Sequence, residues 1–257
     1  MKNVNSSDVK SLSVDKIVGW IYDNLKILGG IVGTLVVVAV GAFFYLQSQH
    51  KSESEASDTL FVVENKYQDI VKSVKKQPNA GLDNPMFQIP PSESEKAEIN
   101  SKAAPVLQEW LTAIEAYKNR KASWAHAIKL AGIYFDNKDY VSAEKVLSSV
   151  KAEVSAGEPF FGLIRHGLGL ARLGQQKYND AITDFDEILK NNKQEFIFPS
   201  ALYQKALAQK SAGDLNGSSE TLQKLRRDFP NTSAAEMSQS QLFLLKAMSW
   251  KEDVKAK

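Results

Sequence analysis

The sequence predicts an all-α protein in which a single N-terminal transmembrane helix is followed by a solenoid of stacked helical hairpins. Three observations carry this reading. Residues 27–46, ILGGIVGTLVVVAVGAFFYL, beginning at Ile27 and ending at Leu46, run for twenty positions without a charge. After them, apolar residues recur near the 3.6-residue period of a helix, with no sustained period-2 alternation and no Asn-Gly turn between two alternating runs. Small and apolar residues then return together at steps of 38 and 37 positions.

The apolar run comes first. At about 1.5 Å of rise per residue, a helix of this length spans about 30 Å, the thickness of a bilayer's hydrocarbon core. A cleaved signal peptide has a shorter apolar region of about 7–15 residues ending in a small-residue site. Ala39-Val40-Gly41-Ala42 offers such a site, but Phe43-Phe44-Tyr45-Leu46 extends the run past it. The chain has no cysteine, which excludes a lipid on an N-terminal cysteine. Lys2, Lys10, Lys16 and Lys26 precede the run, and only Lys51 and Lys66 fall in the twenty residues after it. The positive-inside rule then puts the N-terminus in the cytoplasm and the bulk of the chain across the membrane. In a bacterium with two membranes that means an inner-membrane protein with a periplasmic domain. Trp20, Tyr22 and Tyr45 suit the two interfaces.

Val14, Ile17, Val18, Ile21 and Leu25 recur at helical spacing, as either a short interfacial helix or an extension of the anchor. Gly29 and Gly33, with Gly41 on the same face, form a small-residue seam of the kind that lets a second helix approach, though such pairs are common in anchors. The predicted organisation is a cytoplasmic segment at 1–26, the transmembrane helix at 27–46, a helical linker region at 47–121 with a divergent first hairpin and a Pro-rich loop, and the repeats with a C-terminal capping helix at 122–257.

The chain carries 32 basic and 30 acidic residues, and leaving out the four lysines and three aspartates ahead of the run leaves 28 against 27. So even a balance argues against a nucleic-acid partner, which calls for a basic stripe. Residues 52–76 read as a helix with Leu60, Val63, Tyr67, Ile70, Val71 and Val74 on its apolar side. Residues 77–91 hold four prolines and one glycine and read as a loop. Ser92 or Ser94 caps the next helix, and Glu95 completes a capping box with Ser92. Pro105 is a candidate break or kink in it.

The repeat follows. Ala131, Gly169 and Ala206 are the small residues of successive first helices, and Ala143, Ala181 and Ser218 those of the second helices. Tyr140, Tyr178 and Leu215 keep the same register, as do Leu147, Phe185 and Leu222, and Val150, Ile188 and Leu225. Two antiparallel helices approach closely only where both are small, and the apolar residues one and two turns on fill the groove against the next hairpin.

Leu130-Ala131-x-x-Tyr134 followed by Ala143-x-x-x-Leu147 resembles the tetratricopeptide repeat, and Leu168-Gly169 with Ala181-x-x-x-Phe185 repeats it. The third copy, with Lys205-Ala206 and Ser218, is weaker at its start but closes with Gly213-Asp214 and Asp228-Phe229-Pro230. The period exceeds the family's usual 34, so the second helices or the connections are long. Arg172 and Gln209 stand where the first copy has Tyr134. An anchor followed by such repeats is similar in layout to the ancillary Sec-translocon subunit of Gram-negative bacteria, most so in residues 123–150, SWAHAIKLAGIYFDNKDYVSAEKVLSSV. That resemblance implies protein partners: translocon subunits, a periplasmic chaperone or exported clients. The long Pro-rich insertion and the longer repeats depart from that family.

First helices line the concave face of such arrays. Helical spacing places Ile128 and Phe135 there from one hairpin, His166, Leu170 and Leu173 from the next, and Tyr203, Leu207 and Lys210 from the third. The face is apolar and suits a client segment or a partner helix; the alternative is that terminal helices fold back over it. Catalytic signals are poor. His50, His126 and His166 are scattered, and no H-E-x-x-H, G-x-S-x-G or phosphate-binding glycine loop occurs. Asp184, Asp186 and Glu187 read as a solvated acidic face. The expectation is a non-enzymatic interaction module with no cofactor, no metal, no small-molecule substrate and no nucleic acid. A structural scaffold subunit of another envelope complex is the alternative.

Overall fold

Every regular element among the described residues is helical, as the 3.6-residue period requires. The computed structural model describes residues 25–75 and 91–255, with the side chains of 25–37, 40, 44–46, 49 and 249–255 left outside that description. The predicted cytoplasmic segment at 1–26, with the interfacial helix or anchor extension expected in it, and the predicted Pro-rich loop therefore lie essentially outside the described residues, and the predicted anchor lies largely outside the described side chains. Among the described residues no helix is long and apolar enough to cross a membrane. The chain divides into two units, Met1–Ser52 and Glu53–Lys257.

Helix α1 is Leu25–Val74. In the first unit, Val38 and Phe43 on it are exposed. In the second unit, Ala56, Leu60, Val63 and Val74 are buried at steps of four, three and eleven residues, which is one helical face. That face packs on α2, Glu93–Ala116, through Ala103, Leu107 and Trp110. Helix α2 starts as the sequence predicts: the Ser92 hydroxyl accepts from the Glu95 amide and the Glu95 carboxylate accepts from the Ser92 amide. Pro105 sits inside α2 without ending it.

Three hairpins follow. They are α3 (Lys121–Asp136) with α4 (Tyr140–Lys151), α5 (Pro159–Gly174) with α6 (Tyr178–Leu189), and α7 (Phe198–Ser211) with α8 (Leu215–Asp228). Helix α9, Ser233–Lys255, packs on α7 and α8. Helix α3 has no cap of its own; the Glu53 carboxylate on α1 accepts from the Lys121 and Ala122 amides and fills that role.

Four of the five predicted columns are core, while the fifth, Tyr140, Tyr178 and Leu215, is half-buried. Ala131, Ala143, Gly169, Ala181, Ala206 and Ser218 are all buried, as are Leu147, Phe185 and Leu222 and then Val150, Ile188 and Leu225. The second crossing shows why one copy uses glycine: a Cβ on Gly169 would come within 2.5 Å of the Phe185 ring. A phenylalanine where the other copies have leucine demands that the facing position lose its side chain. At the third crossing the Ser218 hydroxyl donates to the Ala206 carbonyl, 2.7 Å away, so a polar residue is tolerated in the seam.

The extra length of the repeats lies in the connections. Helices α4 and α6 have 12 residues each, against 14 in α8. The long links are 152–158 and 190–197, the latter containing a 3-10 turn, Asn192–Ile197. Gln194 in that turn is fully buried. Its amide nitrogen donates to the Ala156 and Glu158 carbonyls and its oxygen accepts from the Gly162 amide, so one side chain ties both long links to the start of α5.

The hairpin turns share a further column. Lys138, Gln176 and Gly213 all have positive φ, at 58°, 62° and 89°. Only the third copy uses glycine, so composition hid the pattern. A left-handed backbone costs a residue with a Cβ about 1–2 kcal/mol, partly offset by the flexibility glycine adds to the unfolded chain. Lys138→Gly and Gln176→Gly are therefore each expected to raise stability by about 0.5–1 kcal/mol. Urea midpoints by circular dichroism read this directly; a loss at both sites would contradict it.

Candidate partner-binding face

The first helices α3, α5 and α7 stand side by side, and the eight residues predicted for their common face occupy three columns. Ile128, His166 and Tyr203 form one; Phe135, Leu173 and Lys210 another; Leu170 and Leu207 fall between them. All eight are half-buried. Ile128 and Phe135 rest on the core that runs from Leu60 to Ala171, Leu170 and Leu173 on the core around Phe185, and Tyr203 on the two small clusters beneath α9. Each keeps part of its surface in water.

In the first hairpin the middle column is Gly132, where the other copies have Leu170 and Leu207. A Cβ there would meet nothing within 4 Å, so no internal packing calls for glycine at this position. The face consequently has a dent between Ile128 and Phe135. A glycine inside a helix costs about 1 kcal/mol relative to alanine.

Two of the eight are engaged by the array itself. His166 Nε2 lies 2.8 Å from the Ser200 hydroxyl on α7, and its ring meets Phe185 edge-on at 5.8 Å. Lys210 Nζ donates to the Gln241 side chain on α9, 2.8 Å away. His166 thus joins two neighbouring first helices, and Lys210 joins the third to α9. Burial pushes the His166 imidazole down to about 4.

That value fixes the sign of a pH effect. The unfolded chain takes up the proton near the ordinary value of 6.5 while the folded chain refuses it until about 4. Stability should therefore fall as pH drops from 6.5 toward 4 and level off below. From pH 7 to pH 5 the expected loss is about 2 kcal/mol. His166→Asn should flatten that part of the curve in urea titrations. An unchanged slope would show that another group carries it; His126 is the natural alternative, since burial lowers it too, with Glu64 pulling it up and Lys129 pushing it further down.

The acidic residues of α6 do not form a solvated face. Asp184 is fully buried. Its carboxylate accepts from Arg172 at 2.6 Å and Arg165 at 3.1 Å, and Lys151 approaches to 3.9 Å. Arg172 also donates to Glu144, which accepts from Lys177 and Gln175, while Arg165 pairs with Glu187. The network joins α4, α5 and α6. Burial pushes the Asp184 carboxyl up, and Arg172, Arg165 and Lys151 pull it part of the way back. Desolvation also works to raise Glu144, but the hydrogen bonds from Lys177, Arg172 and Gln175 outweigh it and hold that carboxyl at about 2. The sequence carried one signal of this: Arg172 stands in the column of Tyr134, one heptad after Arg165 on the same helix face.

Among the described residues no group of three His, Cys, Asp or Glu side chains is placed to hold a metal ion. What the face offers chemically is half-exposed apolar surface over a rigid helical stack.

Residues 200–232 match the tetratricopeptide repeat family. These are α7, α8 and the short link after them, the one copy whose connection is not lengthened. Two solved structures of nearly identical TPR-like repeats ascribed to a Podosopora anserina kinesin light chain, one of them a single-substitution variant, are similar to this chain. Each is 14% identical to it and covers 63% of it, with TM-scores of 0.47 and 0.46 and coverage of 89% and 90% of their own lengths. No curated protein matches the sequence. Among the described residues the fold is an all-helical, tetratricopeptide-like solenoid of stacked hairpins.

Proposed function

We propose that this protein is a membrane-tethered protein–protein interaction module. In this reading residues 27–46 anchor it in a bacterial inner membrane, and the solenoid stands in the periplasm, where it assists exported proteins or their chaperones at the Sec translocon. The observation that carries the binding role is the alignment of half-exposed, mostly apolar residues in three columns across three successive first helices, broken once in each column by His166, by Lys210 and by an open position at Gly132. A face of this kind gains free energy when it takes up an apolar segment, at about 25 cal/mol for each Å² removed from water. Tethering raises the local concentration of that face near membrane-bound machinery without any new contact. The uncharged run and the lysines ahead of it support the membrane address.

Two measurements test the reading. A reporter fused after Lys257 should be active only outside the cytoplasm; activity only inside would end the export proposal. In-cell photocrosslinking from the concave face should yield adducts with translocon subunits, a chaperone or exported chains. Leu170→Asp and Tyr203→Ala should weaken those adducts several-fold while helicity is kept, and undiminished adducts with the fold intact would remove the face from the mechanism. A stable complex containing other envelope proteins and no translocon subunit would favour a scaffold role instead.

A further inference from the structure

We propose that His126 is a proton-operated selector where α1, α2 and α3 meet: neutral, it holds Trp110 on α2, and protonated, it releases Trp110 and pairs with Glu64 on α1. His126 is buried on α3. Its Nδ1 lies 3.1 Å from the indole nitrogen of Trp110, and the same Nδ1 lies 3.6 Å from a carboxylate oxygen of Glu64. One ring nitrogen thus faces a donor on one neighbouring helix and an acceptor on another.

The chemistry of the two partners makes the choice exclusive. An indole N–H donates and cannot accept, so Nδ1 must offer it a lone pair. Neutral His126 therefore carries its hydrogen on Nε2. A second proton, taken from water, has one lone pair left to join, and that is the one Trp110 uses. Once Nδ1 carries hydrogen, it and the indole are both donors and the bond between them is lost. The new N–H faces Glu64, whose ionised carboxylate is an acceptor alone.

Glu64 is already held in place for this. Both of its oxygens accept from Lys129 Nζ, at 3.0 and 2.8 Å, and Lys129 stands one turn along α3 from His126. The charges that act on His126 are Glu64 from α1 and Lys129 from its own helix; α2 presents the neutral indole, and α4 and α5, also packed on α3, add none. Lys66 on α1 and Glu109 on α2 pair with each other at 2.6 Å. Tyr67 on α1 lies against Trp110, and burial, with Asp136, pushes its phenol up, so it stays neutral as the imidazole titrates.

The direction of the effect follows. Burial holds the imidazole below its ordinary value, Glu64 pulls it part of the way back, and Lys129 opposes Glu64. The unfolded chain takes up the proton near 6.5, ahead of the folded one. The protonated joint is therefore the weaker of the two, and its hold declines as pH falls below 6.5. Trp110 belongs to the core on which Ile128 and Phe135 rest, so its release loosens the support beneath the first hairpin's share of the concave face.

The chain has three histidines and four tryptophans, few enough to follow by nuclear magnetic resonance with those nitrogens alone labelled. The full chain in detergent micelles is used, with signals assigned by single substitutions. In the neutral state His126 should show the Nε2–H tautomer. On acidification the Trp110 indole N–H should shift with the same midpoint as His126 and exchange with water about ten-fold faster or more, as befits a lost hydrogen bond. Glu64→Gln should lower that midpoint by about 0.5–1 pH unit, and Trp110→Phe should raise it by a similar amount. Four results would each overturn the proposal: an Nδ1–H tautomer; a Trp110 signal that ignores the His126 transition; a midpoint that either substitution leaves unmoved at intact helicity; or an imidazole that stays neutral until the fold is lost.

Discussion

Asp184→Ala is expected to be among the most destabilising single changes in the solenoid, lowering its stability by about 3–5 kcal/mol. The carboxylate is 1% exposed and accepts from Arg172 and Arg165, which are themselves 19% and 15% exposed. Removing it takes one of two carboxylate partners from each guanidinium, leaving Arg172 with Glu144 and Arg165 with Glu187, in a site with little water to replace the lost bonds, and that penalty dominates the loss. Arg172→Ala should cost less, because Asp184 keeps Arg165 and Lys151. The network joins two hairpins, and a solenoid is stabilised chiefly by contacts between neighbours. The loss should therefore appear as a lower urea midpoint, and in hydrogen exchange as faster opening of α4 to α6. A change below about 1 kcal/mol would mean that water reaches the network and screens it as it screens surface pairs.

Trp110→Ala should cost about 3–5 kcal/mol as well, through a different mechanism. Trp110 is 1% exposed and sits between Tyr67 on α1 and His126 on α3, with ring centroids 6.1 and 5.6 Å away. Its indole N–H donates to His126 Nδ1 at 3.1 Å. Alanine leaves a large cavity at the joint of three helices and removes the donor to a buried imidazole. Trp110→Phe goes part of the way to separating the two effects, because it keeps a six-membered ring in the site while losing the donor and the smaller ring of the indole. That variant should lose about 1–3 kcal/mol. Thermal unfolding followed by circular dichroism distinguishes them, and equal losses for alanine and phenylalanine would show that the hydrogen bond, not the volume, holds the joint.

These two sites differ in how far the sequence announces them. Trp110 sits at helical spacing with Leu107, Leu111 and Ile114, and a large apolar residue in such a pattern reads as core. Asp184 lies beside Asp186 and Glu187, and three acids in four positions read as solvent-facing. The error comes from treating charge as a surface marker when the compensating charges lie 12 and 19 positions earlier on another helix. His126 and His166 were hidden for the same reason: their partners, Trp110 and Ser200, are 16 and 34 residues away. The left-handed turn positions were missed because Lys138 and Gln176 stand where glycine would have marked them.

What the sequence determined by itself was whatever depends on local period and on size: helices from the 3.6-residue spacing, hairpin crossings from the small residues at 38 and 37 positions, and the Ser92 cap from its neighbour Glu95. Such rules act over a few residues, or repeat at a fixed interval, so one strand of letters can display them. Only the tertiary structure decided which polar groups face each other: the buried Asp184 network, the borrowed Glu53 cap on α3, the Gln194 clasp across two links, and the half-burial of the concave residues. Those depend on partners brought together by folding, and the pairing energy of a charge or an amide is set by the distance and dryness that folding creates.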